Sequence, residues 1–247
     1  MKQSKKFAVF DIDGTLIRWQ LYHAIVNRLA TKGEISEKAY AKIHQARMTW
    51  KNRAYDTSFS DYEAVLVQQW ITESKKLTYQ QYLATVDEVV DEYIDQTYTY
   101  TRNLIRDLKN QGYFLLTISG SPREAVARIA EHYGFDDFVA AEFQLDENKH
   151  FNGKASSPIF DKAGTLKNLV VKHGLDFADS VAVGDTASDI AMLELVEHSI
   201  AFNPEKELFQ AAKKHGWPIV AERKNVIYEL ESRDGTYQLR NSNDGSK

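Results

Sequence analysis

The sequence contains no cysteine among its 247 residues. This absence excludes disulfide bonds, thiolate nucleophiles and zinc sites built on thiolates. Proline is also scarce, with four residues, and none of them falls between residues 16 and 100. The seven histidines are scattered, without the paired spacing that is typical of a metal site. The chemistry of this chain is therefore expected to come from its oxygen and nitrogen side chains.

An excess of basic residues is also missing. The chain carries 31 Lys and Arg against 35 Asp and Glu, which gives a net charge of −4 and no basic footprint for nucleic acid. No apolar run approaches the roughly 18 residues that a membrane span requires. The first apolar stretch ends at Asp11, too early for a signal peptide. These absences predict a cytoplasmic protein with no nucleic-acid or membrane partner.

A short apolar run at residues 7–10 leads directly into two carboxylates, Asp11 and Asp13, followed by Gly14. An apolar run without polar alternation is typical of a strand that is buried on both faces, as in a parallel sheet covered by helices. The two acids then lie at the carboxyl end of that strand. Open α/β sheets bind their ligands at this end.

A second acidic cluster follows another apolar run, at residues 181–183, and contains Asp185 and Asp189. If both strands belong to one sheet, Asp11, Asp13 and Asp185 lie close together. Unit charges about 4 Å apart at an effective dielectric near 20 repel by about 4 kcal/mol per pair, so such a cluster needs a cation. Oxygen ligands favour a hard ion such as Mg2+.

The sequence resembles the haloacid dehalogenase (HAD) superfamily, and within it the phosphoserine phosphatase-like branch, subfamily IB. Any one of the four stretches that carry the resemblance is weak, but their order and spacing make the set specific. They are Asp11-Ile12-Asp13-Gly14-Thr15, the strand end at Ser119-Gly120, Lys162 at the start of a helix, and Gly184-Asp185 with Asp189.

The resemblance implies hydrolysis of a small-molecule phosphate monoester through an aspartyl-phosphate intermediate. Asp11 is the implied nucleophile, and Asp13 the acid and base that serves the leaving alcohol and then the attacking water. Ser119 and the Gly120 amide are implied to bind phosphoryl oxygens, together with Lys162. Lys154 also precedes a helical stretch, but Lys162 has the spacing from Asp185 that the family implies.

The resemblance also implies a Mg2+ cofactor. Its implied ligands are the carboxylates of Asp11 and Asp185 and the backbone carbonyl of Asp13. Asp189 is expected to lie behind these ligands, where it orients a metal-bound water or Lys162.

The pattern of elements predicts an α/β fold, a doubly wound parallel sheet with an inserted all-helical cap. Residues 1–16 and 101–225 are predicted to form the Rossmann-like catalytic core, because strands and helices alternate there. Residues 17–100 carry helical periodicity and almost no strand signal, which predicts a cap of four or five helices. Residues 226–247 turn polar and are predicted to form a C-terminal tail, disordered from residue 241 onward.

Substrate specificity is less well defined by the sequence. Phosphoserine phosphatases carry a Glu nine residues after the nucleophile that pairs with the substrate ammonium, and this chain has Gln20 there. A neutral amide offers no full charge, so phosphoserine is not predicted as the substrate. Gln20 and Arg47 are candidate cap contacts to a small phosphorylated metabolite. The alternatives are a phosphotransferase or phosphomutase of the same superfamily, and a catalytically silent binding protein on this fold.

Overall fold

The computed structural model describes residues 5–240, and the core of the fold is a nine-stranded sheet. Its strands are β1 (Phe7–Phe10), β2 (Phe114–Pro122), β3 (Asp137–Leu145), β4 (Phe151–Ser156), β5 (Val181–Gly184), β6 (His198–Phe202), β7 (Ile219–Arg223), β8 (Val226–Arg233) and β9 (Thr236–Leu239). They are arranged in the order β4-β3-β2-β1-β5-β6-β7-β8-β9. The six neighbouring strands β3-β2-β1-β5-β6-β7 are parallel to one another. Strands β4, β8 and β9 are antiparallel additions at the two edges.

Helices cover both faces of the sheet. They are α1 (Leu21–Thr31), α2 (Glu37–Lys51), α3 (Ser58–Glu73), α4 (Tyr79–Tyr93), α5 (Thr99–Asn110), α6 (Arg123–Tyr133), α7 (Lys162–His173), α8 (Ile190–Leu193) and α9 (Lys206–His215). Side chains alternate along a strand, so Ala8 and Phe10 join the core on the side of α5, α6 and the cap. Phe7 and Val9 join the core under α7, α8 and α9. The fold class is therefore confirmed as a doubly wound α/β sheet, with α1 to α4 forming an inserted helical cap.

The two chain segments that connect the cap to the sheet are bonded to each other and to the core. Arg18 in the first segment donates from Nε to the carbonyl of Thr97 in the second, at 2.7 Å, and from its guanidinium to Glu222 at 2.5 Å. The buried carboxylate of Glu222 also accepts the backbone N–H groups of Thr99 and Tyr100. One carboxylate in β7 thus holds both connections of the cap. The exact core and cap boundaries at residues 16 and 100 stay a prediction.

The cap packs on the β3-β4 hairpin through an aromatic cluster, here called the cap aromatic cluster, of Tyr22, Trp70, Tyr82, Phe143 and Phe151. Trp70 is 1% exposed, and its ring lies 5.4 to 5.6 Å from the rings of Phe143, Tyr82 and Phe151. The sequence predicts a separate short strand at residues 138–141 before this hairpin. The structure instead has one continuous strand, β3. Its residues 137–141 pair with β2, and its residues 142–145 pair with β4.

The prediction of a polar tail is wrong for residues 226–240, which form β8 and β9 and extend the core sheet. These strands lie at the sheet edge and bury only part of one face, so their composition is polar. Leu230 and Tyr237 pack on the core, and the Tyr237 hydroxyl donates to the carbonyls of Ala212 and Trp217. The predicted disorder from residue 241 lies outside the described residues.

A membrane crossing would need a helix of greater length and apolar character than any that the chain forms between residues 5 and 240.

Replacement of Trp70 by Ala tests the packing of the cap on the hairpin. We expect Trp70→Ala to lower the free energy of unfolding by about 3–5 kcal/mol, since it removes a large buried side chain from the cap aromatic cluster. Urea denaturation measures this loss. As a control, Tyr55→Ala removes a side chain from a residue that is 51% exposed and should change stability by no more than about 0.5 kcal/mol. Equal stability of the two variants would contradict the described packing.

Candidate active site

Three neighbouring strands end at one place and bring the predicted polar residues together. Asp11 follows β1, Ser119 lies near the end of β2, and Asp185 follows β5, with β1 paired in parallel to both other strands. The backbone N–H of Asp11 donates to the carbonyl of Val183 at 3.0 Å, which extends the pairing to the first acid. Parallel register therefore aligns the carboxyl ends of all three strands.

Lys162 reaches this strand edge from the first turn of α7. Its ammonium donates to Asp11 Oδ1 at 2.9 Å and to Asp189 Oδ1 at 2.6 Å, and its side chain is only 1% exposed. Burial acts against its charge, but the carboxylates of Asp11 and Asp189 outweigh this effect and raise the pKa of Lys162. Lys154, the other candidate, is exposed in β4. The geometry therefore places Lys162, and not Lys154, among the acids.

Asp189 is committed to internal hydrogen bonds. Its Oδ1 accepts from Lys162, and its Oδ2 accepts the backbone N–H groups of Asp185 and Thr186 at 3.1 and 3.0 Å. The Thr186 hydroxyl adds a third donor to Oδ2 at 3.3 Å. Asp189 thus fixes both the loop after β5 and the position of the ammonium, and most of its lone pairs are used.

Asp185 is oriented by the loop that follows β1. The Thr15 hydroxyl donates to Asp185 Oδ1 at 3.0 Å. Gly14 has φ +83°, and a Cβ at this position would lie 2.1 Å from Asp185 Oδ2. A side chain at residue 14 would therefore be strained and would displace this carboxylate, which explains the glycine in the motif.

Asp13 is buried and faces hydrogen-bond donors from the cap and from β2. Its Oδ1 accepts the backbone N–H of Leu21 at 2.6 Å, and its Oδ2 accepts the hydroxyl of Ser119 at 2.9 Å. The Ser119 Oγ in turn accepts the backbone N–H of Ser121 at 3.0 Å. Burial raises the pKa of Asp13 despite these bonds, so this carboxyl holds a proton more readily than an exposed Asp does. Gly120 lies half-buried beside Ser119.

The site carries an excess of negative charge. Carboxylate oxygens of Asp11, Asp185 and Asp189 all lie within 4.8 Å of one another, with one ammonium between them. Burial, with the charges of Asp189 and Asp13, raises the pKa of Asp11 to about 7 even though Lys162 opposes this shift. Burial and the neighbouring acids raise the pKa of Asp185 well above its usual value. A set of buried and half-buried oxygen donors with uncompensated charge can hold a hard metal cation.

Both predicted cap residues are half-buried. Gln20 is half-buried and stands immediately before α1, where its side chain makes no capping hydrogen bond. Arg47 projects from α2 with its guanidinium 5.5 Å from the centre of the Trp19 ring, and its buried Nε finds no hydrogen-bond partner among residues 5–240. Substrate contact by Gln20 and Arg47 stays a prediction.

Sequence reasoning missed three residues around this site. Thr15 lies inside the first motif, so its link to Asp185 was open to prediction. Glu63 and His23 lie 40 positions apart on α3 and α1, and only the tertiary structure brings their side chains together, with His23 Nε2 4.0 Å from Glu63 Oε1. Burial and the charges of nearby acids, Asp13 first among them, raise the pKa of Glu63 to about 7. Nothing in the local sequence marks this pair.

Comparisons with known proteins agree with this geometry. The model of the haloacid dehalogenase-like hydrolase family matches residues 8–194. The chain is 26% identical over 220 residues to the "Inhibition of morphological differentiation protein" of Streptomyces azureus, which covers 86% of this chain and 77% of that protein. It is also 26% identical to "Phosphoserine phosphatase SerB2" of Mycobacterium tuberculosis over 213 residues, 85% of this chain but 47% of that protein.

A solved structure shows the same fold. The phospho-aspartyl intermediate analogue of phosphoserine phosphatase has a TM-score of 0.64 with this chain, covering 90% of this chain and 96% of that one. At 22% sequence identity, this likeness speaks for the fold alone. The match of the family model extends from β1 to the start of the loop after α8, and includes the four stretches that form the site. The chain belongs to the haloacid dehalogenase-like hydrolase family.

Proposed function

We propose that this protein is a phosphatase that hydrolyses a small phosphate monoester through an aspartyl-phosphate intermediate. The observation that carries the proposal is the buried Asp11 carboxylate, held through Oδ1 by Lys162 at a strand edge beside Asp13. No hydrogen bond from the described residues reaches Oδ2 of Asp11, which is free to attack. Family membership and the phosphoserine phosphatases among the relatives support the same activity.

Asp11 is the nucleophile of the proposed reaction. Its free carboxylate oxygen forms a bond to phosphorus as the bond from phosphorus to the ester oxygen breaks. The resulting acyl phosphate is hydrolysed in a second step, which divides one difficult reaction into two easier ones. Lys162 fixes the carboxylate so that one oxygen points away from the ammonium.

Asp13 is the acid and base of both steps. Its raised pKa favours the protonated form that donates to the leaving alkoxide. The carboxylate formed in this way then accepts a proton from the water that attacks the acyl phosphate. In the structure the Leu21 N–H and the Ser119 hydroxyl both donate to this carboxyl group; when the phosphoryl group is bound, the Leu21 N–H keeps the carboxyl group in place and the Ser119 hydroxyl turns to a phosphoryl oxygen.

The phosphoryl group is bound by Ser119, the Gly120 amide and Lys162. Ser119 and Gly120 lie near the end of β2, shortly before α6, whose first turn has free backbone N–H groups. The Lys162 ammonium supplies positive charge that balances part of the charge on the transferring group.

A Mg2+ ion fits the donor set of this site. The carboxylates of Asp11 and Asp185 and the backbone carbonyl of Asp13 would hold it, with Asp189 behind them. When bound, the ion would supply the positive charge that these carboxylates lack and would offset the negative charge of the substrate phosphate. Thr15 and Asp189 keep the Asp185 carboxylate and its loop in position for this role.

The proposed substrate is a small phosphorylated metabolite, and a cytoplasmic location remains the expectation from the sequence. The cap closes over the strand ends, so its side chains define the alcohol that the site accepts. Each proposed reactive group is present, which argues against a catalytically silent site. No observation on the described residues favours the second phosphoryl acceptor that a phosphomutase needs.

Replacement of Asp11 by Asn removes the proposed nucleophile and keeps the shape of the side chain. We expect phosphate release from p-nitrophenyl phosphate and from a metabolite panel to fall by at least ~10³-fold, since the covalent step is lost. The exposed Asp107→Asn should retain wild-type rates. EDTA should abolish release by the wild type, and added Mg2+ should restore it. Full activity of Asp11→Asn would contradict the covalent mechanism.

Lys162 and Lys154 form a matched pair for a second test. Lys162→Met should lower kcat by at least ~10²-fold, because it removes a preorganised positive charge from the reaction site. It should also destabilise the protein by about 3–5 kcal/mol, because Asp11 and Asp189 lose their shared buried partner. Lys154→Met should leave both quantities unchanged. Steady-state kinetics and chemical denaturation of the two variants measure these effects, and similar behaviour of the pair would overturn the assignment.

A further inference from the structure

The first helix of the cap has no N-terminal capping side chain of its own. Gln20 stands at the capping position of α1, and its side chain makes no capping hydrogen bond. The backbone N–H groups in the first turn of a helix lack partners within the helix, so other groups must accept them. The core supplies acceptors here. The N–H of Leu21 donates to Asp13 Oδ1 at 2.6 Å. The N–H of the next residue, Tyr22, donates to Ser121 Oγ at 3.2 Å.

Ser121 lies buried between the start of α1 and the proposed acid. It is 2% exposed and belongs to β2, two residues after Ser119. Its oxygen accepts the N–H of Tyr22, so its proton is available for a bond to another acceptor. Burial raises the pKa of Asp13, and hydrogen bonds from the Leu21 N–H and from the Ser121 hydroxyl act against this rise. One hydroxyl therefore contacts both the cap and the carboxyl group of Asp13.

Substrate binding takes one donor away from Asp13. The Ser119 hydroxyl donates to Asp13 Oδ2 at 2.9 Å, and a hydroxyl has a single proton. When this proton turns to a phosphoryl oxygen, as in the proposed function, it no longer holds the carboxyl group. The Leu21 N–H alone fixes one oxygen and leaves the group free to rotate about its bond to Cβ. The Ser121 hydroxyl binds no phosphoryl oxygen in the proposed function, so it remains for the carboxyl group.

A purely structural role explains only part of this placement. To cap α1, Ser121 needs only the lone pairs of its oxygen, and any acceptor at this position would serve. The proton of the same hydroxyl adds nothing to the capping of the helix, yet its bond to Asp13 opposes the effect of burial on the pKa of that group. Both contacts form together when the start of α1 lies at the strand ends.

We propose that Ser121 is a positioning residue for the acid step at Asp13. After the Ser119 hydroxyl has turned to the phosphoryl group, Ser121 holds the carboxyl group towards the ester oxygen, while the Tyr22 N–H keeps α1 docked. The proton of Asp13 passes to the ester oxygen as the phosphorus–oxygen bond breaks and its electron pair goes to that oxygen, and Ser121 keeps its own proton. The proposal rests on the proposed phosphatase function.

Two esters with different leaving groups test the proposal. Benzyl phosphate and p-nitrophenyl phosphate each carry one six-membered ring, but the benzyl alkoxide needs a proton to leave, whereas nitrophenolate leaves without one. The value of kcat/KM reports the steps up to departure of the alcohol. We expect Ser121→Ala to lower kcat/KM for benzyl phosphate by about tenfold, because a misplaced acid transfers its proton less well. The value for p-nitrophenyl phosphate should fall by less than about twofold.

The matched control is Ser199→Ala. Ser199 is 5% exposed, lies in β6 and donates to the carbonyl of Leu193 at 2.7 Å, so its replacement also removes one buried hydroxyl. This variant should keep the wild-type ratio of the two kcat/KM values.

A double-mutant cycle tests whether Ser121 acts through Asp13. Asp13→Asn removes the acid itself and should lower kcat/KM for benzyl phosphate by more than Ser121→Ala does. In the Asp13→Asn background, the further change Ser121→Ala should have almost no effect on this ester, because the group that it positions is gone. An undiminished tenfold loss in that background would overturn the proposal.

The outcomes separate this proposal from the phosphatase function. Equal losses on both esters in Ser121→Ala, or no loss on either, would overturn the positioning role and leave the phosphatase function standing. Failure of the wild type to hydrolyse either ester would count against the phosphatase function itself.

A measurement without turnover decides the role of Ser121 if the wild type hydrolyses neither ester or p-nitrophenyl phosphate alone. It is amide hydrogen exchange by NMR at Leu21 and Tyr22, in wild type and Ser121→Ala. Faster exchange at Leu21 as well as Tyr22 supports the proposal, because the acceptor of the Leu21 N–H is the Asp13 carboxyl group. Unchanged exchange at Leu21 overturns it.

Discussion

The buried contact of one lysine ammonium with two aspartates is the interaction on which the site depends. Lys162 joins Asp11, at the end of β1, to Asp189, which in turn holds the loop after β5. A buried charge is tolerated only when it is paired and hydrogen-bonded, so this contact fixes α7, β1 and β5 relative to one another. It leaves Asp185 and part of the charge on Asp11 uncompensated. The unpaired carboxylate charge that remains can hold a hard metal cation.

The cap depends on a second set of constraints. Glu222 binds both of its connecting segments, and the cap aromatic cluster packs it on the β3-β4 hairpin. The cap is thereby held from two sides, with the start of α1 at the strand ends. Asp13 takes part in this arrangement, since it accepts the N–H of Leu21 at the start of α1. In the proposed function, reaction chemistry comes from the core and substrate choice from the cap, and the two parts of the chain meet at Asp13.

The sequence predicts those parts of the site that local patterns encode. Apolar runs ending in acids identify β1 and β5, and parallel pairing then requires that Asp11 and Asp185 lie near each other. Partners supplied by distant helices leave no such pattern, which is why Glu63 and His23 were not predicted. The β8-β9 hairpin was missed for another reason. Edge strands bury little apolar surface, so residues 226–240 look like a polar tail until their pairing with β7 is known.

In the proposed reaction, Asp11 carries the phosphoryl group during turnover. Its most direct test is rapid acid quenching of the enzyme with a phosphate monoester in the presence of Mg2+, followed by mass spectrometry of proteolytic peptides. We expect phosphate on the peptide that contains Asp11, sensitive to hydroxylamine as an acyl phosphate is, and absent from Asp11→Asn. Phosphate release with no phosphorylated peptide, or with phosphate on a different residue, would contradict it.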